Sequence, residues 1–149
     1  MPLYRLVNQD RSTTLAERVR LAGSSVTRRS GLRRYASLEI TEGLAIAPCE
    51  AIHTFGMRFS IDVIFLDAGY RIRRIAECLS PNRIAVCLAA SLAVELSPGT
   101  LRRSRSLTGD LLRFELIENP DQERPDEGQA DLENPGASPE LRSIPTSLS

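Results

Sequence analysis

The sequence is poor in several residue types on which functional sites often depend. It contains no Trp, no Lys, one His and two Met, and aromatic residues make up only 5% of the chain. The core must therefore consist mainly of Leu, Ile, Val and Ala side chains. Because Lys is absent, the permanent cations are all arginine guanidinium groups, which suit bidentate contacts with carboxylates and phosphates.

The three cysteines, Cys49, Cys78 and Cys87, lack the close paired spacing of zinc-binding motifs. With a single His in the chain, we expect no metal site and no cofactor, and we expect each Cys to be a buried, reduced, small apolar residue. No apolar run reaches the length of a secretion signal or a membrane span. These absences predict a soluble, cytoplasmic protein without a membrane partner, either monomeric or weakly oligomeric.

The formal net charge of zero hides a division along the chain. Residues 1–117 carry 17 Arg and 11 acidic residues, a balance of +6, whereas residues 118–149 carry 2 Arg and 8 acidic residues, a balance of −6. The second segment is rich in Pro, Glu, Asp and Ser and cannot bury enough apolar surface to offset its ordering entropy. We therefore expect one compact β-rich domain over residues 1–117 and a disordered acidic tail over residues 118–149.

The most informative stretch covers residues 52–67, which hold the only His and three of the four Phe. Ile61–Leu66 is short, β-branched and aromatic, a pattern that predicts a strand buried on both faces. The following Asp67-Ala68-Gly69 predicts a short hairpin in which Asp67 ties the turn and Gly69 is left-handed. The return strand changes phase at Arg73-Arg74, where we expect a bulge.

Other segments alternate as strands do, and Gly or Pro turns separate them. A helix capped by Ser24 or Ser25 is predicted to end near Tyr35, and residues 100–107 can form one or two helical turns. Gly109-Asp110 is expected to form a turn that Asp110 ties. The sequence thus predicts a mainly β (α+β) fold: a small antiparallel, partly closed barrel-like sheet with one or two short helices.

Several motifs are familiar as a set: Gly56 to Asp67, Gly69, Val94 to Gly99, Gly109-Asp110, and Ser30 to Arg34 upstream. Together they resemble a family of small bacterial and archaeal proteins, the domain of unknown function 192 family, over about residues 15–117. Ser60 departs from the family pattern, which usually has Pro there. The resemblance implies a compact, mostly β fold and no assigned reaction.

His53, Arg58, Asp62 and Glu95 are the candidate ligand-binding residues. In an extended segment Arg58 and Asp62 share one face, and beside His53 they could hold a small anion or a carboxylate of another chain. Alternatively, Asp62 is a structural fastener, buried and either neutralised by Arg58 or capped by backbone N–H groups. Glu95 could line a groove with Asp62, but its place in the strand favours a solvated position.

Three functional hypotheses follow. The first is a non-enzymatic binding or accessory module with a shallow polar site beside the central strand, for a small ligand or a protein partner. The second is a small enzyme that uses His53 with Asp62 or Glu95 as acid–base groups, although no catalytic residue can be assigned. The third is nucleic-acid binding through arginine clusters, which is disfavoured because no aromatic stacking platform accompanies them.

Overall fold

The structure is a computed structural model that describes residues 2–22 and 38–118. The predicted helix that ends near Tyr35 lies outside these ranges, as does the predicted tail beyond Glu118. Within them the elements are β1 (Leu3–Asn8), β2 (Thr13–Ala22), β3 (Glu42–Ile46), β4 (Ala51–His53), β5 (Ile61–Leu66), β6 (Ile72–Leu79), β7 (Ile84–Val86), β8 (Leu92–Leu96), α1 (Thr100–Ser104) and β9 (Leu112–Glu118).

Seven strands form one sheet in the order β6-β5-β8-β3-β2-β1-β9. The sheet curls until its two ends meet at a single bridge between Arg71 and Leu111, so it is not a closed barrel. The prediction of a mainly β fold is confirmed. The prediction of an antiparallel sheet needs one correction: β3 runs parallel to β2. Parallel neighbours cannot be joined by a hairpin turn, which is the connection that an all-antiparallel prediction assumes.

Alternation along the central strands gives each sheet face its own apolar core. On one face the first core includes Leu6, Val19, Ile64, Leu66, Val94, Leu96, Leu101 and Phe114. On the other face the second core includes Leu44, Ile46, Val63, Phe65 and Ala93. All six residues of β5 and all five of β8 are buried, which confirms that Ile61–Leu66 is a strand covered on both faces.

Strands β4 and β7 form a separate antiparallel ribbon that covers the second core. Ile52 and its cross-strand partner Ala85 are buried and belong to that core. Since successive side chains of a strand point to opposite faces, the flanking pair His53 and Ile84 and the residue Val86 face away from it, and all three are exposed. The ribbon therefore has a buried inner face and a solvent-facing outer face.

The β5–β6 hairpin confirms two details of the sequence analysis and corrects a third. The Asp67 Oδ1 atom accepts the N–H groups of Gly69 (3.0 Å) and Arg71 (3.1 Å), so Asp67 ties the turn. Phe65 pairs with Arg74 while Leu66 pairs with Ile72, which places a bulge at Arg73. The left-handed residue, however, is Tyr70 (φ 66°) and not Gly69.

Tyr70 tolerates this conformation because its ring is held in place. It packs edge-on against Phe114, with 5.7 Å between ring centroids. Aromatic pairs of this geometry contribute about 0.5–1.5 kcal/mol beyond their area burial. That contact offsets the cost of a positive φ at a residue with a side chain.

A buried polar network joins the β1–β2 turn to the loop before β9. Asp110 Oδ2 accepts hydrogen bonds from the Asn8 amide (2.9 Å), the Leu107 N–H (2.9 Å) and the Arg11 Nε–H (3.1 Å). Burial alone would raise the pKa of the Asp110 carboxyl, but these hydrogen bonds and the Arg11 charge hold it below its ordinary value. Gly109 beside it has φ 95°, so the predicted role of this Gly-Asp turn is confirmed.

Asp110→Asn should lower the free energy of unfolding at pH 7 by about 1–2 kcal/mol, because the neutral amide loses the charge-assisted bond from Arg11 and turns its NH₂ group toward the Arg11 Nη2 donor. A carboxyl whose pKa is lowered by folding stabilises the protein above its unfolded pKa of about 4 and loses that contribution as the pH falls through the folded value. Urea unfolding between pH 7 and pH 2.5 should therefore show a smaller acid-induced loss for the variant. Parallel curves for the two proteins would contradict this role.

Gly43 in β3 is expected to tolerate no side chain. A Cβ there would lie 2.9 Å from Leu96 Cδ2 and 3.2 Å from the Glu95 carbonyl oxygen. Gly43→Ala should cost about 1–3 kcal/mol of unfolding free energy through overpacking. The matched control is Gly69→Ala, whose Cβ would meet only Asp67 Oδ1 at 3.4 Å. Equal urea midpoints for the two variants would show that β3 and β8 are not so closely packed.

Candidate functional site

The Asp62 carboxylate is fully buried and joins three elements of the fold. Its Oδ1 atom accepts the backbone N–H of Cys78 in β6 at 2.8 Å, and its Oδ2 atom accepts the backbone N–H of Leu101 in α1 at 2.9 Å. A buried carboxylate needs such donors to replace the water it has lost. Each oxygen atom has one, so this side chain links β5 to β6 and to α1.

Both donors are available because the local backbone leaves them without an ordinary partner. Cys78 has φ 48° and lies where the β5–β6 register shifts, so its N–H turns away from regular strand pairing. The burial predicted for the cysteines is wrong, since Cys78 is exposed and Cys49 and Cys87 are only partly buried. Leu101 is in the first turn of α1, where N–H groups have no partner inside the helix. The N-cap residue, Gly99, makes no side-chain cap, and Asp62 supplies that function from a distant strand.

The fastener hypothesis for Asp62 is therefore confirmed in its backbone-capping form. Arg58 is exposed and lies in the loop before β5. Among the ion pairs of the described ranges, none joins Arg58 to Asp62. The proposed charged pair on a shared face is not what the structure contains, because the chain bends between the two residues and turns Asp62 into the sheet.

Glu95 is buried, at 3% exposure, so the solvated position expected for it is wrong. The register pairs Glu95 with Val63 and places Asp62 opposite Leu96. Since neighbouring positions alternate, Asp62 lies on the face of the first core and Glu95 on the face of the second. The structure therefore separates the two carboxylates by the thickness of the sheet, and they do not line a common groove.

His53 lies on the outer side of the ribbon and is stacked on Phe55, with 5.2 Å between ring centroids. Because the ribbon covers the second core, His53 is separated from Glu95 by the ribbon and from Asp62 by the ribbon and the sheet. Of the four predicted residues, only His53 and Arg58 face solvent. The structure does not bring together the groups that the acid–base hypothesis requires.

Beside His53 the structure reveals an apolar surface that the sequence analysis did not identify. Ile84 is 59% exposed, Val86 42%, Leu88 78% and Phe55 46%. The signal was present as an alternation of large residues with the small Ala85 and Cys87. Periodicity does not say which set is buried, and here the small residues lie against the core. We call His53, Phe55, Ile84, Val86 and Leu88 the outer ribbon face.

Three arginines lie next to the outer ribbon face, one of them by a direct contact and two by their place in the sequence. Arg58 follows Phe55 by three positions, Arg83 directly precedes Ile84, and Arg74 of β6 donates from Nη1 to the Val86 carbonyl oxygen. All three are exposed, and within the described ranges none of them forms an ion pair with a carboxylate. Two carboxylates nearby in sequence are also exposed: Glu50 before β4 and Glu77, three positions after Arg74 in β6. Three arginines against two glutamates leave a balance of +1, and we call the three arginines the cationic border.

The part of the chain that the structure describes contains neither a cluster of metal-ligating side chains nor a membrane-spanning helix. No group of three His, Cys, Asp or Glu side chains there is placed to hold a metal ion. Its helix is too short and too polar to cross a membrane. Two surface depressions, one beside Thr13 and Arg113 and one beside Thr100 and Arg103, contain none of the predicted site residues.

Asp62→Asn should destabilise the protein by about 2–4 kcal/mol, because the amide NH₂ group must oppose one of the two buried N–H donors. The measurement is the free energy of unfolding in urea. Asp67→Asn is the matched control, since this partly exposed turn residue keeps its two backbone hydrogen bonds as Asn and loses only the long contact with Arg73, so stability should change by less than about 0.5 kcal/mol. If the two variants were equally stable, Asp62 would not fasten the three elements.

Comparisons with solved structures support the fold. One similar chain is a "putative transcription regulator" from Sinorhizobium meliloti 1021, with TM-score 0.67 and 22% identity, covering 76% of this chain and 92% of that one. Another is a protein of unknown function from Novosphingobium aromaticivorans DSM 12444, with TM-score 0.62 and 18% identity, covering 74% of this chain and 83% of that one. At such identities the likeness concerns the fold alone.

A comparison with curated proteins finds no match. The family model for the uncharacterized proteins called DUF192 matches residues 6–114, which is most of the chain and nearly all of the sheet. This confirms the resemblance carried by the motifs around β5, β8 and the Gly109-Asp110 turn. The chain belongs to the domain of unknown function 192 family, whose function is uncharacterised.

Proposed function

We propose that the protein is a binding module whose recognition surface is the outer ribbon face, and that its partner is a short, extended segment of another protein carrying apolar and acidic side chains. The observation that carries this proposal is the row of exposed Ile84, Val86 and Leu88 along β7 and just beyond its end. His53 and Arg58 belong to this surface, whereas Asp62 and Glu95 support the scaffold from inside.

The size of the patch favours a short segment over a globular partner. Four exposed apolar side chains offer on the order of 300 Å², the lower end of the largest patches on soluble monomers, which are often functional. A standard interface between two folded proteins needs about 800 Å² from each partner. An extended segment can instead place alternate side chains on a strand face.

The cationic border favours a segment that carries acidic side chains. Arg58, Arg74 and Arg83 can each form bidentate contacts with a carboxylate. Such border contacts mainly orient a partner and speed its association, while the apolar contacts provide most of the affinity. Apolar residues next to Asp or Glu therefore fit this surface best.

The charge of the chain argues against two other classes of partner, nucleic acid and anionic membranes. Residues 119–149 carry seven acidic residues and two Arg, and this charge would be repelled by an anionic membrane surface and by nucleic-acid phosphates. In the described part of the chain, Arg5, Arg11 and Arg73 are also already bonded to carboxylates. Nucleic acid and membranes are accordingly tested as competing outcomes.

The test is a selection of random 12-residue peptides on the full-length protein, followed by affinity measurement with a labelled synthetic copy of the best peptide. Leu88→Ser and Ile84→Ser should each weaken binding about tenfold, since burying one such side chain contributes about 1.5–3 kcal/mol. Leu107→Ser and Ile117→Ser are the matched controls, because these residues are 55% and 48% exposed elsewhere. They should leave the affinity unchanged.

Three results would overturn the proposal. The first is equal affinity for the ribbon variants and the controls. The second is a selection that yields no binding peptide. The third is binding of a single-stranded oligonucleotide or anionic phosphatidylserine vesicles that Leu88→Ser abolishes, which would assign the same face to another class of partner.

A further inference from the structure

The outer ribbon face fits a segment that this chain itself carries. Residues 131–148 contain the triplet Asp131-Leu132-Glu133, in which an apolar side chain stands between two carboxylates, and then Glu140-Leu141 and Ile144. These are the residue types that the proposed function assigns to a partner. The inference that follows rests on that proposed function and names an occupant for the same surface.

The segment is long enough to reach the ribbon from the end of β9. Thirteen residues separate Glu118 from Leu132, and an extended chain spans up to about 3.3–3.6 Å per residue, or roughly 45 Å. A domain of about 110 residues has a radius of gyration of only about 13 Å. The linker is therefore long compared with the size of the domain, so the segment can reach parts of the surface distant from β9.

Charge complementarity distinguishes this face from the other basic parts of the surface. Arg58, Arg74 and Arg83 flank an apolar row. One segment can therefore place its carboxylates against the arginines and its leucines against the row. Arg102 of α1 and its C-cap Arg105 are also exposed, but Leu107, at 55%, is, among the described residues, the one large apolar residue exposed close to them in sequence. The ribbon combines its arginines with four exposed apolar side chains, so it offers the larger apolar contact.

We propose that residues 131–148 occupy the outer ribbon face of their own chain and must leave it before a partner segment binds. Because the segment is attached to the domain, even a weak contact can keep the face occupied: a short linker gives an effective concentration on the order of 1 mM. An intrinsic dissociation constant on the order of 0.1 mM would then keep about nine molecules in ten occupied. The segment would act as a competitor in cis.

His53 provides a direct reporter, because it is the only histidine and lies on the outer ribbon face. Its imidazole C–H signals should be resolved in a one-dimensional proton NMR spectrum of the full chain. The test variant is Leu132→Ser/Leu141→Ser/Ile144→Ser, which removes the apolar contacts. The control is Ala130→Ser/Ala137→Ser, with one substitution directly before the segment and one within it. The test variant should shift the His53 signals and the control should not.

A second measurement uses the selected 12-residue peptide. The test variant should bind it five- to tenfold more tightly than the wild-type chain, because the competitor has been removed, while the control variant should match the wild type. His53 signals that coincide in all three proteins, together with equal peptide affinities, would overturn the inference and leave the proposed function intact.

The proposed function can also fail while the inference about residues 131–148 stands. If the test variant shifts His53 but no external peptide binds even to that variant, the segment occupies the ribbon as a permanent cover. The proposed function would then fail while occupancy by residues 131–148 would stand.

Discussion

The fold depends on one buried carboxylate that is shared between elements distant in sequence. Asp62 accepts the N–H groups of Cys78 and Leu101, sixteen and thirty-nine residues away. The first donor is turned toward it by the bulge near the end of β6, and the second belongs to a helix whose N-cap glycine has no capping side chain. Because an unsatisfied buried carboxylate would be costly, these three positions are fixed together.

This fastening determines where a binding surface can lie. Asp62 is buried on the face of the first core, and Glu95 is buried on the face of the second. Neither of these two predicted site residues therefore faces solvent. The ribbon of β4 and β7 closes the second core with the small Ala85 and turns its larger residues outward. The predicted site residues that do face solvent are His53, on the ribbon, and Arg58, in the loop before β5, and neither lies on the central strand.

Much of the architecture was predictable from local patterns. The doubly buried β5 follows from its β-branched run, the Asp67 turn from side-chain chemistry, and the bulge at Arg73 from a change of phase. The Tyr70 conformation was not predictable, because it depends on a ring contact with Phe114, 44 positions away.

The candidate site was less predictable, because it depends on long-range register. Val63 pairs with Glu95, and this register puts Asp62 and Glu95 on opposite faces. The register cannot be predicted from the sequence of either strand alone. The exposure of Ile84, Val86 and Leu88 likewise depends on which side of the ribbon meets the core. Periodicity gives the alternation, whereas only the tertiary arrangement gives its direction.

The most direct measurement of the central claim is hydrogen exchange of the full-length protein with and without a saturating selected peptide. If the outer ribbon face is the recognition surface, added protection should be confined to amides of residues 51–56 and 83–88. Protection that appeared instead at the exposed edges of β6 or β9, or at α1, with the ribbon unchanged, would contradict it.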